Sequence, residues 1–560
     1  MDTGVDVVGR HRGLVLRTAI VSLLTLASRL LGFVRETLAA ALFGDASPVN
    51  DAFVTAWRVP NLFRSLLGEG AMATSLQTAL TREDGERGLA AGRRLFWALA
   101  RIVGLSALVL CALVMLAAWF LPDTLPFTDW AWLGADPAPV RELVVRLMPF
   151  VVFVCLAAVV GGALQVRGHF ASTALAPVLM NLWWIAALGL AIAEFGFDPR
   201  AEPAGEFARQ MGIARALGWY VLVAGAILLA VQLPALRSLG FLGGALPPAG
   251  ADEPRLLRAR VWRVLREAAP LALGAAVYQV NVMIDGFMAE GLLPNGGPTV
   301  LYYATRVQQL PMSLVAAAAT AAVFPALAAL GQGRREAELR ALHDETHLAI
   351  VFVALPAALG LFFFAQPIMA VCFEHGAFGA QGTERGAAVL RALSLAVLPA
   401  GAAGLVARTL YALGDLRTPV RISIGVLVLN VGLNFALVLG LRMDADGLAL
   451  STGLCAWLNL ALLLPALRRR LGPSAQPREL RGRLVRLALA AAIAVGASRL
   501  IWAFLASRCG RTVALLSCIA LALGAYALCC QLLRVPEWQA TLSRARRRSP
   551  AGSAAAGRRN

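Results

Sequence analysis

The sequence predicts an all-α polytopic membrane protein of about fourteen transmembrane helices, two pseudo-symmetric six-helix lobes with two additional C-terminal helices. Three observations predict it. The mean hydropathy is +0.70, and 59% of the 560 residues are hydrophobic against 15% charged, a balance outside the soluble globular range. Apolar runs of about 20 residues, each long enough to cross a hydrocarbon core, recur along the whole chain. Finally, the sequence repeats itself: AWRVPNLFRSLL from Ala56 matches ATRVQQLPMSLV from Ala304, and LQVRGHF from Leu164 matches LYALGDL from Leu410 at nearly the same offset. About six spans separate each pair, an even number, so the two halves share one orientation and a pseudo-axis along the membrane normal.

The formal net charge of +18 is carried by arginine alone, for the chain has no lysine. These arginines gather in short connectors, Arg82 to Arg94, Arg237 to Arg266, Arg334 to Arg340, Arg417 to Arg421 and Arg468 to Arg486. The intervening connectors carry few. That alternation is the positive-inside pattern, not a nucleic-acid footprint, and it places both termini in the cytoplasm.

Taken in order, MDTGVDVVGRHRGLVLR leads into a run too long and too charged for a cleavable signal, so it reads as the first span. Further spans centre near residues 64, 107, 155, 183, 223, 275, 314, 358, 399, 429, 457, 493 and 522. The expected divisions are an N-terminal lobe over 1–235, a C-terminal lobe over 236–470, an added two-helix unit over 471–540 and a basic, disordered tail over 541–560. The eight cysteines have no metal-like or redox-like spacing and read as small apolar residues. Asp123, Asp129 and Asp136 lie among Pro, Trp and Gly without a paired spacing, which reads as a solvated loop. His343 and His347 in HDETH share a helix face but lack the Glu that a zincin pattern requires after its first His. No metal site is expected.

The residues that resist this hydrocarbon background lie in the first two spans: Arg29, Arg35, Glu36, Asp51, Arg58, Asn61, Arg64 and Glu69. An arginine at the centre of a span costs roughly 2.5–3.5 kcal/mol, so several together must face water. Steps of seven and three from Asp51 through Arg58 and Asn61 to Arg64 predict one polar stripe lining a cationic cavity. The second lobe adds Asn281 and Asp285, then Arg306, Gln308 and Gln309, then Arg408. Asn281 and Gln308 read as helix-to-helix hydrogen bonds. Arg35, Arg64 and Arg306 read as a binding site for an anion, because too few acidic groups are present to neutralise them.

SRLLGFVRE, NDAF, VPNLFRSLLGEGA, YYATRVQQLP and YALGDLRTPV together resemble the lipid II flippases called MurJ or MviN, within the multidrug/oligosaccharidyl-lipid/polysaccharide exporter superfamily. The resemblance covers nearly the whole chain. It implies a transporter, not an enzyme, that moves the undecaprenyl-diphosphate-linked peptidoglycan precursor (lipid II) across the bacterial inner membrane by alternating access. It carries the family's functional arginines onto Arg29, Arg35, Arg64 and Arg306 and its acidic and polar partners onto Asp51, Asn61 and Glu69; headgroup binding is expected at those arginines and Asn61, and gating or charge pairing at Glu36, Asp51, Arg58, Glu69 and Gln309. Some members have Asp before the eighth-span arginine and Glu three residues after it; Thr305 and Gln309 here count against a proton-linked role. The partners implied are lipid II, membrane lipids and proteins of cell-wall synthesis or division, with no nucleic acid. No cofactor is expected, and transport is expected to couple to an ion or to the membrane potential. Gly32, Pro60, Gly68 and Gly70 are candidate bending points. A flippase for another polyprenyl-diphosphate oligosaccharide would present the same cavity, whereas a drug exporter would want acidic residues facing organic cations.

Overall fold

The computed structural model describes residues 3–64, 71–120, 137–196, 203–243, 253–320, 323–333, 335–474 and 476–548, and these are almost entirely helical. The elements are α1 (Thr3–Phe43), α2 (Pro48–Phe63), α3 (Ala71–Arg87), α4 (Leu89–Phe120), α5 (Pro137–Leu147), α6 (Phe150–Val166), α7 (Ala171–Phe195), α8 (Pro203–Ala230), α9 (Leu233–Ser238) and α10 (Glu253–Leu292). They continue as α11 (Gly297–Thr320), α12 (Phe324–Gln332), α13 (Glu336–Phe363), α14 (Ala365–Phe373), α15 (Ala380–Ala412), α16 (Arg417–Phe435), α17 (Ala445–Leu471), α18 (Pro477–Cys509), α19 (Arg511–Leu532) and α20 (Pro536–Arg548). A π-helical turn, Ala436–Gly440, extends α16.

Among the described residues, ten spans are long and apolar enough to cross a membrane: α4, α5 with α6, α7, α8 with α9, α13, α15, α16 with its π-turn, α17, α18 and α19. Their outer faces are bare hydrocarbon. On α4 the side chains of Leu105, Leu108, Leu113, Leu116, Trp119 and Phe120 are between 54% and 75% exposed, which only lipid can cover. The expected spans near residues 29, 64, 275 and 314 fall on α1, at the end of α2, on α10 and on α11. These carry the charged residues, which is why hydropathy alone passes them over.

By backbone contacts the chain forms two compact units, one of residues Met1–Thr299 with His375–Phe378, the other of Val300–Glu374 with Gly379–Asn560. In the first unit α1 packs on α7, α7 on α8, α2 on α5 and α10, and α4 and α8 on α6. Ser47 starts α2 by accepting the Asn50 N–H at 3.0 Å, and Pro48 supplies a first helical residue that needs no donor. The turn before it admits only glycine. Gly44 has φ +83° and a Cβ there would lie 2.9 Å from the Ala377 carbonyl oxygen; Gly376, at φ +60°, would meet the Ala41 oxygen at 2.5 Å.

In the second unit α15 packs on α13 and α17, and α18 packs on α19 and α13. The appended helices are therefore part of a core: Leu487, Ala490 and Ala494 of α18 and Tyr526 and Cys530 of α19 close on Leu348 and Val351 of α13. The Tyr526 hydroxyl donates to the Phe352 carbonyl at 2.9 Å. His343 is buried and its Nδ1 lies 2.9 Å from the Thr409 hydroxyl, so the first histidine of HDETH is engaged in helix packing.

The second repeated motif folds the same way twice. After α6, Gly168 (φ +73°) lets the His169 N–H reach back to the Leu164 oxygen at 2.9 Å; after α15, Gly414 (φ +81°) lets Asp415 do so to Leu410, also at 2.9 Å. Both are glycine-dependent helix ends with the six-to-one bond. Asp415 then starts α16, accepting from the Thr418 N–H at 3.0 Å and from its hydroxyl at 2.8 Å. The Thr418 N–H, more than the Thr418 hydroxyl or Arg470, holds the Asp415 carboxyl below its ordinary value. A depressed carboxyl stabilises the fold above its unfolded pKa and loses that contribution as pH falls through the folded value. The melting-temperature gap between wild type and Asp415→Ala in detergent is accordingly expected to stay constant above about pH 5 and to narrow as pH falls below the ordinary aspartate value of about 3.9.

Candidate functional site

Two clusters in the first unit hold the polar residues of α1 and α2. In one, Arg35 of α1 lies against α7. Its Nη1 donates to Asn181 Oδ1 at 3.2 Å, its Nη2 to Glu36 Oε1 at 2.5 Å, and its guanidinium carbon sits 4.4 Å from the centre of the Trp184 ring. Asn181 is itself fixed by donating to the Ser28 carbonyl at 3.0 Å. The Arg35 and Glu36 side chains are only 12% and 9% exposed, so this is a desolvated ion pair with supporting hydrogen bonds. Gly32 faces the same Asn181 amide. Arg29 lies on the exposed part of α1.

The second cluster joins α2 to α10 and the turn after it. The Asp51 carboxylate accepts the Gly296 N–H at 2.6 Å, the Thr299 N–H at 2.9 Å and the Thr299 hydroxyl at 2.5 Å, all buried. Asn50 donates to the same Thr299 hydroxyl at 3.2 Å, and Thr55 donates to Glu290 Oε2 at 2.8 Å. Arg58 lies across Gly286 and donates through Nη1 to the Val282 carbonyl at 2.9 Å. One turn on, Arg64 donates through Nε and Nη2 to Asn61 Oδ1 at 3.1 and 2.9 Å.

The expected single stripe therefore divides. Seven residues bring Asp51 and Arg58 back to one face, but the six from Arg58 to Arg64 leave those two about 120° apart around the helix. Asp51 and Arg58 face α10 and its following turn, and Asn61 and Arg64 form a pair of their own. Glu69, Gly68 and Gly70 lie outside the described residues, as do Asp123, Asp129 and Asp136.

In the second unit Arg306 donates to Gln309 Oε1 at 3.0 Å and to the Tyr302 hydroxyl at 2.8 Å, with its guanidinium carbon 4.6 Å from the Tyr302 ring centre. Gln308 donates to the Leu393 carbonyl of α15 at 2.6 Å, the interhelical bond its sequence position suggested. Asn281, by contrast, donates to Asp285 one turn along its own helix, at 3.0 Å. Arg408 lies near the C-terminal end of α15 and is half-buried.

The chemistry is that of guanidinium groups held in fixed orientations. Asn61 holds Arg64, and Gln309 and Tyr302 hold Arg306, each in a set orientation. Glu36 offsets Arg35. Sequence reasoning passed over Asn181, Trp184, Gly286, Glu290 and Tyr302. Asn181 had a signal, a lone amide inside the long apolar run of α7; Gly286 and Trp184 had none.

A bundle of long apolar helices with charge confined to a few defines a multi-span membrane protein, and solved structures share the fold. A multidrug resistance MATE family transporter of the MOP superfamily, inward-facing, superposes with a TM-score of 0.60 at 15% identity, over 80% of this chain and 96% of that one. A lipid II flippase MurJ in an inward closed conformation gives 0.67 at 21% identity, over 92% and 98%. Sequence resolves the family within that fold. Residues 39–524 match the model for Lipid II flippase MurJ. The lipid II flippase MurJ of Burkholderia cenocepacia is 32% identical over 455 residues, 80% of this chain and 83% of that protein. A probable lipid II flippase MurJ of Rhizobium tropici is 32% identical over 457 residues, covering 80% and 79%. The chain belongs to the lipid II flippase MurJ family, as its motifs implied. It is thus a multi-pass inner-membrane protein of a transporter family.

Proposed function

We propose that this protein moves lipid II from the cytoplasmic to the periplasmic leaflet by alternating access, supplying peptidoglycan synthesis. The observation that carries the reading is the oriented arginine pairs, Arg64 on Asn61 and Arg306 on Gln309 and Tyr302, in a chain of this family. A diphosphate cannot shed its hydration into hydrocarbon, and guanidinium forks replace that hydration with charge-assisted bonds. The headgroup then crosses on protein while the tail stays in lipid.

In this scheme Arg29, Arg35, Arg64, Arg306 and Asn61 bind the headgroup. Glu36, Asp51, Arg58, Glu69 and Gln309 pair with one another or with the arginines in one state and exchange in the other. The transporting core is two repeats, 1–235 and 236–470, with 471–540 appended and 541–560 a basic tail at the anionic inner leaflet. Both termini are cytoplasmic, as the arginine-rich connectors support. No cofactor takes part. Each charge moved through the potential gains about 2.3 kcal/mol per 100 mV, so an ion or the potential supplies the direction. Proteins of cell-wall synthesis or division are the expected protein partners.

The test is the appearance of lipid II on the outer face of cells depleted of their own flippase. Wild type is expected to restore it. Arg64→Ala and Arg306→Ala, inserted at normal levels, are each expected to lower the rate by about tenfold or more, and Arg64→Lys to recover little of it, because a point charge lacks the fork. Movement of a different polyprenyl-linked sugar with none of lipid II would overturn the substrate and keep the fold.

A further inference from the structure

α18 is one of the ten apolar spans, and it carries Arg499 on an exposed face. Arg486 and Arg508 bracket its hydrocarbon stretch, 22 residues apart, which is about 33 Å and so one bilayer core. Arg499 stands nine residues, about 14 Å, inside Arg508, close to the midplane. The neighbouring helix gives a similar depth: the Cys518 thiol donates to the Ser498 carbonyl at 3.5 Å, and Cys518 is seven residues, about 10 Å, into α19 from Arg511. Around it Leu489, Ile493, Leu500 and Phe504 of α18 are between 51% and 85% exposed, a surface that only lipid or another helix can cover.

Among the described residues Arg499 makes no hydrogen bond and no ion pair. The helices packed beside α18 offer no carboxylate at its level. α19 contains none, those of α13 (Glu336, Glu338, Asp344 and Glu345) lie in its first three turns, by the other membrane surface, and Glu374 at the end of α14 is held by Arg511 at 2.8 Å. The chain is described without a break from 476 to 548, and no Asp or Glu follows Arg548, so no further acidic side chain adjoins α18 in sequence. A guanidinium at this depth faces hydrocarbon unless a charge from outside the chain meets it.

We propose that this face of α18 docks a membrane-spanning helix of another protein, whose Asp or Glu side chain near its midpoint pairs with Arg499. Lipid phosphates lie beyond the edge of the core, about 15 Å from the midplane, whereas a carboxyl on a spanning helix can sit at any depth. A second copy of this chain would bring only the apolar, acid-free faces of α18 and α19. The surface also lets a helix come close: Ala492, Gly496 and Ala503 stand exposed on the same side as Arg499, and a Cβ at Gly496 would meet nothing within 4 Å. In hydrocarbon a lone carboxyl stays protonated, and it ionises on meeting a guanidinium that pairs with both of its oxygens. The docking face is independent of what the protein transports and gives the expected protein partners a place to bind.

The test uses the purified full chain in phosphatidylcholine bilayers, with a donor dye on Cys509, which is exposed at the far end of α18. The probes are two synthetic Leu/Ala spanning helices carrying an acceptor dye, identical except for Glu or Gln at the midpoint. Energy transfer to the Glu helix is expected to reach half its maximum at a mole fraction about tenfold below that for the Gln helix. Arg499→Leu is expected to abolish that difference without lowering the melting temperature, since it removes a charge that no described group holds. Gly496→Leu keeps Arg499, fills open space, and is expected to weaken the Glu helix about fivefold by holding its backbone away, again with unchanged melting. Equal transfer to the two helices, or a preference that survives Arg499→Leu, overturns the proposal. So does loss of the preference when phosphatidylglycerol replaces a third of the phosphatidylcholine, which would assign a lipid phosphate, or Arg499-dependent transfer between two labelled copies of the chain, which would assign a second copy.

Discussion

Asp51→Ala is expected to lower stability by about 3 kcal/mol. The carboxylate accepts three bonds from one short turn, the Gly296 N–H, the Thr299 N–H and the Thr299 hydroxyl, and Asp51 is only 4% exposed. Alanine leaves two backbone donors buried with no acceptor at the start of α11, where each orphaned group costs about 1–3 kcal/mol. Asp51→Asn keeps the shape and one acceptor, and is expected to cost about half as much because the bonds are no longer charge-assisted. Thermal unfolding of the purified variants in one detergent measures both. Wild-type melting for Asp51→Ala would mean that the turn into α11 stands without its cap. An Asp51→Asn variant that folds well and fails to move lipid II would separate a gating role from the structural one.

Gly286→Ala is expected to cost about 2 kcal/mol in the wild-type background and close to nothing when Arg58 is already alanine. A Cβ at residue 286 would fall 2.2 Å from Arg58 Cδ and 2.7 Å from its guanidinium carbon, so the side chain must leave its berth across α10. It then gives up the Val282 carbonyl, which it holds at 2.9 Å. The clash is with the far end of a flexible side chain, so the fold survives and the loss is that of a displaced arginine in an apolar setting. A double-mutant cycle on melting temperature measures the coupling. Additive losses would show that Gly286 is needed by the helix itself, and not by Arg58.

The ten apolar spans were legible because the requirement that set them is one-dimensional: a run must be long and apolar enough to cross hydrocarbon, whatever it packs against. The second repeated motif was legible as a repeat, but not as a pair of helix ends, which rest on the positive φ of Gly168 and Gly414. The charged residues of α1 and α2 stood out from their background, yet their partners did not. Asn181 lies 146 residues from Arg35, and Gly296 lies 245 from Asp51, and nothing in local spacing encodes which distant helix a side chain will meet. The single stripe on α2 divided because steps of three drift around a helix by about 60° each, which a count of neighbours conceals.

Those sequence separations also set an order of assembly at the ribosome. α1 and α2 leave the tunnel first, but the groups that let Arg35 and Arg58 rest in the membrane, Asn181 and the Val282 carbonyl, are synthesised 146 and 224 residues later. At about 5–20 residues per second that delay is on the order of ten seconds or more. The least lipid-compatible helices of the chain must therefore be sheltered, by the insertion machinery or at the bilayer surface, until α7 and α10 arrive. A nascent chain halted before residue 181 has a first hairpin without its berth, and it is there that quality control would find this protein incomplete.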